Sequence, residues 1–275
     1  MTTTDEITRV RSRDGTEIAY WSSGTGPPLV LVHGATADHT RWQPVLAHLE
    51  PHVTVHAVDR RGRGGSGDAP EYTIEREYED VAAVIDALAQ ETGGPVDLLG
   101  HSYGGQCALG AATLTAHLGR LLLYEPAESA DDPFPSDLLE RLEGLLAEDR
   151  REELLAAFFR EAVMMPDHEL AVFRSLPAWR ARLASAHTLP RELRTVAVGT
   201  VYDPARVATI TAPTLLLLGG DSPAGVKRAT ERLAETIPNA QIAVLDGQQH
   251  IAIDLDPMGF SGQVLDFLRD GAPTP

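Results

Sequence analysis

Val96-Asp97-Leu98-Leu99-Gly100-His101-Ser102-Tyr103-Gly104-Gly105 decides how this chain is read. A strand-length apolar run ends at Gly100, a serine stands midway between Gly100 and Gly104, and a helix-compatible run follows from Gln106. The pattern is G-x-S-x-G between a strand and a helix. A turn sharp enough to expose the serine hydroxyl crowds its neighbours, so the flanking positions must lack side chains. Gly104, Gly105 and Ala108 let the following helix sit close to the strand. The same five letters in an arbitrary loop would mean little; the strand before them and the helix after them carry the reading.

Outward from this stretch, short apolar runs alternate with helical patterns. Leu29–Val32, Val53–Val58, Leu121–Tyr124, Thr214–Leu218 and Gln241–Leu245 read as further strands. Several are almost continuously apolar, as strands covered by helices on both faces must be. Ile7–Arg13 and Glu17–Ser22, split by Asp14-Gly15, read as an antiparallel hairpin at a sheet edge. Ile74, Tyr78, Val81, Ile85 and Leu88 recur at three- and four-residue steps and predict a helix over about 74–91. The fold class is therefore α/β with a mainly parallel sheet. From about 127 to 208 the alternation stops: after the loop Asp131–Pro135 come helical segments and no strong strand. This stretch is expected to be a helical cap inserted between two core strands, dividing the chain into a core of 1–126 and 209–275 and a cap of 127–208.

A serine hydroxyl needs a base to become a nucleophile. Of the ten histidines, His250 follows the last predicted strand, and sheets of this kind carry reactive groups at the carboxyl ends of their strands. The base in turn needs a carboxylate to hold its tautomer. Asp221, after Thr214–Leu218, is taken as that acid; Glu125, after Leu121–Tyr124, is the rival. The chain order Ser102, Asp221, His250 is one known for this geometry. An oxyanion hole needs backbone N–H donors. These are expected from Tyr103, directly after the serine, and from Ala35 in His33-Gly34-Ala35-Thr36, where Gly34 lets the backbone pass close.

Composition narrows the partners. The net charge is −17, and Lys227 is the single lysine among 23 basic residues. Such a surface repels phosphate backbones and anionic headgroups, so no nucleic acid and no membrane is expected, only a small-molecule substrate. One cysteine, Cys107, excludes an internal disulfide and a multi-cysteine metal site. No signal-like start and no apolar run near the roughly 18 residues of a membrane span occur, so a cytoplasmic protein is expected. Oligomeric state is not readable.

His33-Gly34, Asp59-Arg60-Arg61-Gly62-Arg63-Gly64-Gly65-Ser66, Gly100–Gly105, Gly219–Asp221 and His250 together resemble the α/β-hydrolase superfamily over about residues 7–270. The resemblance implies a mostly parallel eight-stranded sheet and a cofactor-free hydrolase, with no metal, working through a covalent acyl-enzyme. Serine stands where the epoxide and haloalkane branches carry aspartate, and Thr36 where many of them carry proline. Both departures point to hydrolysis of esters, lactones or carbon–carbon bonds; thioesterase, perhydrolase or a non-catalytic receptor are the other uses of such a frame.

Other signals read as structural. Gly62–Gly67 spells G-x-G-x-x-G, but Asp68-Ala69-Pro70 follows where a dinucleotide-binding helix would have to begin. Cys107 is expected to be a buried hydrophobe, and His101 a packing residue facing away from the pocket. Phe158, Phe159, Met164, Met165, Phe173, Trp179 and Leu183 are expected in the cap's core, and acidic runs such as Glu75–Asp80 on solvated helix faces.

Overall fold

In the computed structural model, which describes residues 7–126, 135–197 and 203–270, the chain enters as an antiparallel hairpin, β1 (Ile7–Arg11) and β2 (Glu17–Gly24). β3 (Pro28–Val32), α1 (Gln43–Leu49), β4 (Thr54–Val58), α2 (Ile74–Thr92), β5 (Val96–His101), α3 (Tyr103–Ala111) and β6 (Leu118–Tyr124) follow. Helices α4 (Leu138–Ala147), α5 (Arg151–Glu161), α6 (Asp167–Ser175), α7 (Ala178–Ser185), α8 (Leu189–Ala197) and α9 (Pro204–Val207) lie between β6 and β7 (Thr214–Gly219). α10 (Ala224–Thr236), β8 (Ala240–Leu245), α11 (Ala252–Leu255) and α12 (Pro257–Asp270) complete the described chain.

The eight strands form one sheet in the order β1-β2-β4-β3-β5-β6-β7-β8. β2 runs antiparallel to both its neighbours, and every other pair is parallel. After β3 the chain turns to one side for β4, then crosses back to lay β5 against β3's other edge. Connections that leave in opposite directions open a crevice at the carboxyl ends of that strand pair. The loops after β3 and β5 carry Gly34 and Ser102, so the topology sets the two candidate loops side by side.

Strand periodicity builds a core on each face. Val30, Leu98, Leu121 and Leu216 pack with α2 and α3, while Leu29, Leu31, Leu99, Leu122 and Leu215 pack on the other face with Trp42, Phe260 and Val264. Successive residues of a strand point to opposite faces, so these apolar runs feed both cores at once. The predicted stripe of α2 is buried throughout. Each such side chain contributes about 1.5–3 kcal/mol when fully removed from water. A third cluster joins the helices between β6 and β7, and Ile251 of the last loop belongs to it. Among the described residues no helix is long and apolar enough to cross a membrane.

The acidic run on α2 departs from expectation. Glu77 and Asp80 are buried, not solvated. Glu77 accepts from Arg60 Nε at 3.0 Å and from the Tyr72 hydroxyl at 3.0 Å, and Asp80 accepts from Arg61 Nε at 2.7 Å. The reason is long-range: the arginines after β4 face this helix, which local periodicity cannot register. Glu192 of α8 bonds both Arg60 and Arg63, so the same network ties an inserted helix to the sheet. The Gly62–Gly67 segment is a turn closed by Gly62 N–H to Gly67 O at 2.8 Å, and the Gly65 amide donates to Asp59 Oδ2 at 2.7 Å. Its amide thus serves an internal carboxylate. Cys107 is fully buried. Residues 131–134 of the loop expected at Asp131–Pro135 lie outside the described residues.

Candidate active site

Ser102 stands between β5 and α3 with φ 56° and ψ −127°, a backbone conformation that an L residue adopts only at a cost of about 1–3 kcal/mol. Its N–H is tied to Tyr124 O at 2.9 Å. The glycines explain how so tight a turn survives. A Cβ on Gly104 would lie 2.3 Å from both Val32 O and His33 O, and one on Gly34 would lie 2.9 Å from Ser102 Cβ. These are backbone and first-atom contacts that no rotamer relieves. Gly104→Ala is therefore expected to destabilise the fold by about 1–3 kcal/mol by overpacking, seen as a lower denaturant midpoint with unchanged m-value. An alanine tolerated there without loss would contradict this packing.

Ser102, Gly34, Ala35 and His250 line one cavity of about 20 Å³, roped in by Phe158, Phe159 and Arg182 from the inserted helices. That is room for roughly one water. Ala35 borders this cavity, and Tyr103 begins α3 as the residue after Ser102. The two residues expected from sequence to supply amides thus lie beside the serine. Tyr103 itself is buried beneath Arg60, whose guanidinium carbon is 4.5 Å from the ring centroid. Its hydroxyl is 2.8 Å from that of Tyr72 and 2.8 Å from Thr195 Oγ1 on α8.

The carboxylate beside His250 is Glu125, not Asp221. His250 Nδ1 lies 2.8 Å from Glu125 Oε2. The other oxygen, Oε1, accepts from the Gly219 amide at 2.9 Å and from the Ser222 hydroxyl. Glu125 is buried directly after β6, in a left-handed conformation with φ 40° that turns its side chain back over the sheet's end. Asp221 is exposed, and its backbone N–H donates to Gln248 O at 2.9 Å. The turn after β7 therefore donates hydrogen bonds to a carboxylate from the neighbouring strand and supplies none itself. A carboxylate facing Nδ1 requires that nitrogen to carry the proton, leaving Nε2 free to accept one.

Tyr124, which drew no functional notice in the sequence, holds the His250 loop from both sides. Its hydroxyl donates to Gln249 O and accepts from the Ala252 amide at 3.0 Å. His101 is not turned away from the pocket as expected. Its ring centroid is 4.7 Å from that of His250 and 4.9 Å from that of Tyr124, and its Nε2–H donates to His250 O at 3.0 Å. Complete burial, with the neighbouring His250 as the next cause, keeps its pKa well below the usual histidine range. It is a neutral packing group. His33 behaves alike. Nδ1–H donates to Gly34 O at 2.8 Å while Nε2 accepts from the Arg60 amide at 3.2 Å, and burial and Arg63 hold it neutral. No group of three His, Cys, Asp or Glu placed to hold a metal ion occurs among the described residues.

The sequence model of the alpha/beta hydrolase family matches residues 29–261. Among solved structures, an alpha/beta hydrolase from Sphaerobacter thermophilus is 40% identical with a TM-score of 0.82, covering 95% of this chain and 100% of that one. An esterase from Rhodococcus sp. is 29% identical with a TM-score of 0.77, covering 97% and 99%. The 2-hydroxy-6-oxo-2,4-heptadienoate hydrolase of Pseudomonas putida is 28% identical over 272 residues, 96% of either chain.

Proposed function

The chain belongs to the alpha/beta hydrolase family, and from that premise we propose that it is a serine hydrolase cleaving carboxylic esters or lactones of small to medium, partly hydrophobic molecules. The observation that carries this reading is the strained Ser102 in one cavity with His250, whose Nδ1 is engaged by the buried Glu125. His250 Nε2 takes the Ser102 proton as Oγ attacks the carbonyl carbon. The Ala35 and Tyr103 amides receive the developing oxyanion, and Glu125 stabilises the imidazolium. His250 then protonates the departing alcohol oxygen, leaving an acyl-serine. Water, deprotonated by the same imidazole, releases the acid and restores Ser102. No cofactor takes part in this scheme.

The described helices of the 127–208 insertion act as the cap over this centre. With room for roughly one water beside Ser102, an ester enters only when the inserted helices shift. The Phe158 and Phe159 side chains in the cavity wall supply an apolar lining for the non-reacting part of the substrate. The same groups also suit carbon–carbon bond hydrolysis, a reading favoured by the Pseudomonas putida relative.

The test is direct. The purified protein is mixed with a p-nitrophenyl ester of a short acid, quenched, and mapped by peptide mass spectrometry. An acyl adduct on the Ser102 peptide with release of p-nitrophenol is expected. Turnover with no adduct on that peptide, or no turnover across esters, lactones and thioesters, would overturn the assignment.

A further inference from the structure

The described chain buries five arginines: Arg41, Arg60, Arg61, Arg63 and Arg182. Four have a carboxylate in ion-pair range. Arg41 faces Asp254 at 2.8 Å, Arg60 is held by Glu77 and Glu192, Arg61 by Asp80 at 2.7 Å, and Arg63 by Glu192. Arg182, on α7, is 4% exposed and has no carboxylate within 4.0 Å among the described residues. A buried cation without a counter-ion is among the costliest arrangements a fold can hold. It persists here on weaker support. Nη1 donates to Ala35 O and to Thr36 Oγ1, each at 3.0 Å. The guanidinium carbon lies 4.8 Å from the Phe173 ring centroid and 5.3 Å from that of Phe159. Nε is buried and has no acceptor among the described residues.

Position gives this cost a use. Arg182 lines the same cavity as Ser102 and His250, and bonds the carbonyl of the residue whose amide is the proposed oxyanion donor. We propose that Arg182 is the binding subsite for a carboxylate on the substrate, so that the centre prefers esters bearing an anion a short spacer away from the scissile carbonyl. This inference rests on the esterase reading above. The substrate carboxylate supplies the missing counter-ion and satisfies Nε with a charge-assisted bond. Phe159 and Phe173 hold the guanidinium in place beforehand, so little side-chain freedom remains to be lost on binding. Burial, with repulsion from Arg41 next, lowers the Arg182 pKa to about 9. The group is still cationic at neutral pH, as anion binding requires. Asp254 and Asp38 offset part of its charge at longer range, but Asp254 is already engaged with Arg41.

The experiment compares monomethyl glutarate, an anion, with neutral dimethyl glutarate at neutral pH, in the wild type, Arg182→Met and Arg182→Lys. The wild type is expected to favour the anion, and Arg182→Met to lower the anionic-to-neutral ratio of kcat/KM by about 10–100-fold, the worth of a hydrogen bond to a charged group. The loss should lie mainly in KM, and Arg182→Lys should recover part of the ratio. An unchanged ratio, with both esters losing equally, would overturn the subsite and leave Arg182 as a support for the Ala35–Thr36 loop. A second readout is free of turnover: calorimetric titration of glutarate into Ser102→Ala protein, with and without Arg182→Met. Arg182-dependent glutarate binding, with the wild type hydrolysing no ester, would refute the esterase reading and keep the subsite. Ester hydrolysis with glutarate binding indifferent to Arg182 would refute the subsite and keep the esterase.

Discussion

Ser102→Ala is expected to lower kcat for a short-chain ester by about 10⁴–10⁶-fold, the scale seen when the nucleophile of a serine–histidine–acid unit is removed. What remains is the activity of positioning and oxyanion stabilisation alone. The fold should be intact, because only a hydroxyl leaves and alanine inherits the same strained backbone of φ 56° and ψ −127°. Glycine at this position makes a sharper comparison. Ser102→Gly relieves strain of about 1–3 kcal/mol, against roughly 0.4–1 kcal/mol lost to a looser unfolded chain. Ser102→Gly should therefore unfold at a temperature no lower than Ser102→Ala, while both are inactive. Wild-type ester hydrolysis by a purified Ser102→Ala sample, free of wild-type protein by mass, would end the mechanism.

The second large effect separates two carboxylates. Glu125→Gln is expected to lose about 10³–10⁴-fold in kcat, whereas Asp221→Asn should stay within a few-fold of the wild type. Both Glu125 oxygens accept: Oε2 faces His250 Nδ1 at 2.8 Å, and Oε1 takes the Gly219 amide at 2.9 Å and the Ser222 hydroxyl. A glutamine offers one acceptor to these two sides. Whichever way the amide turns, a donor meets a donor. Either His250 takes the tautomer with Nε2 protonated, which cannot accept the Ser102 proton, or the Gly219 amide is left unsatisfied. Asp221, exposed and joined to the His250 loop only through its backbone N–H, has no such consequence. Steady-state kinetics on the two variants decides the matter; a larger loss in Asp221→Asn would return the acid role to Asp221.

The inserted helices reach the candidate site through buried contacts. Tyr103 joins Ser102 in sequence to Thr195 of α8 through its hydroxyl, and Glu192 on the same helix holds Arg60 and Arg63. Among the inserted helices, α8 is therefore tied to the sheet by buried charges. Phe158 and Phe159 of α5 line the cavity on its other side.

Much of this was legible from residues alone, because it rests on local rules. Short, almost continuously apolar runs such as Leu29–Val32 and Leu121–Tyr124 mark strands covered on both faces, and Ile74–Leu88 marks a helix through steps of three and four. Ser102 is marked by the glycines its turn requires, and His250 by its place after the last strand. What spacing leaves open is which side chains meet across strands. Asp221 and Glu125 both follow strands whose ends lie beside His250, and the sequence offers equal chemistry at each. The tertiary structure decides between them through the left-handed turn at Glu125, which sends that carboxylate inward while the turn after β7 leaves Asp221 in solvent. Burial of Glu77 and Asp80 against Arg60 and Arg61, and of Arg182 against the Ala35 loop 147 residues away, is of the same kind. A charge's environment is set by whatever the whole fold packs around it, and no period along the chain encodes that.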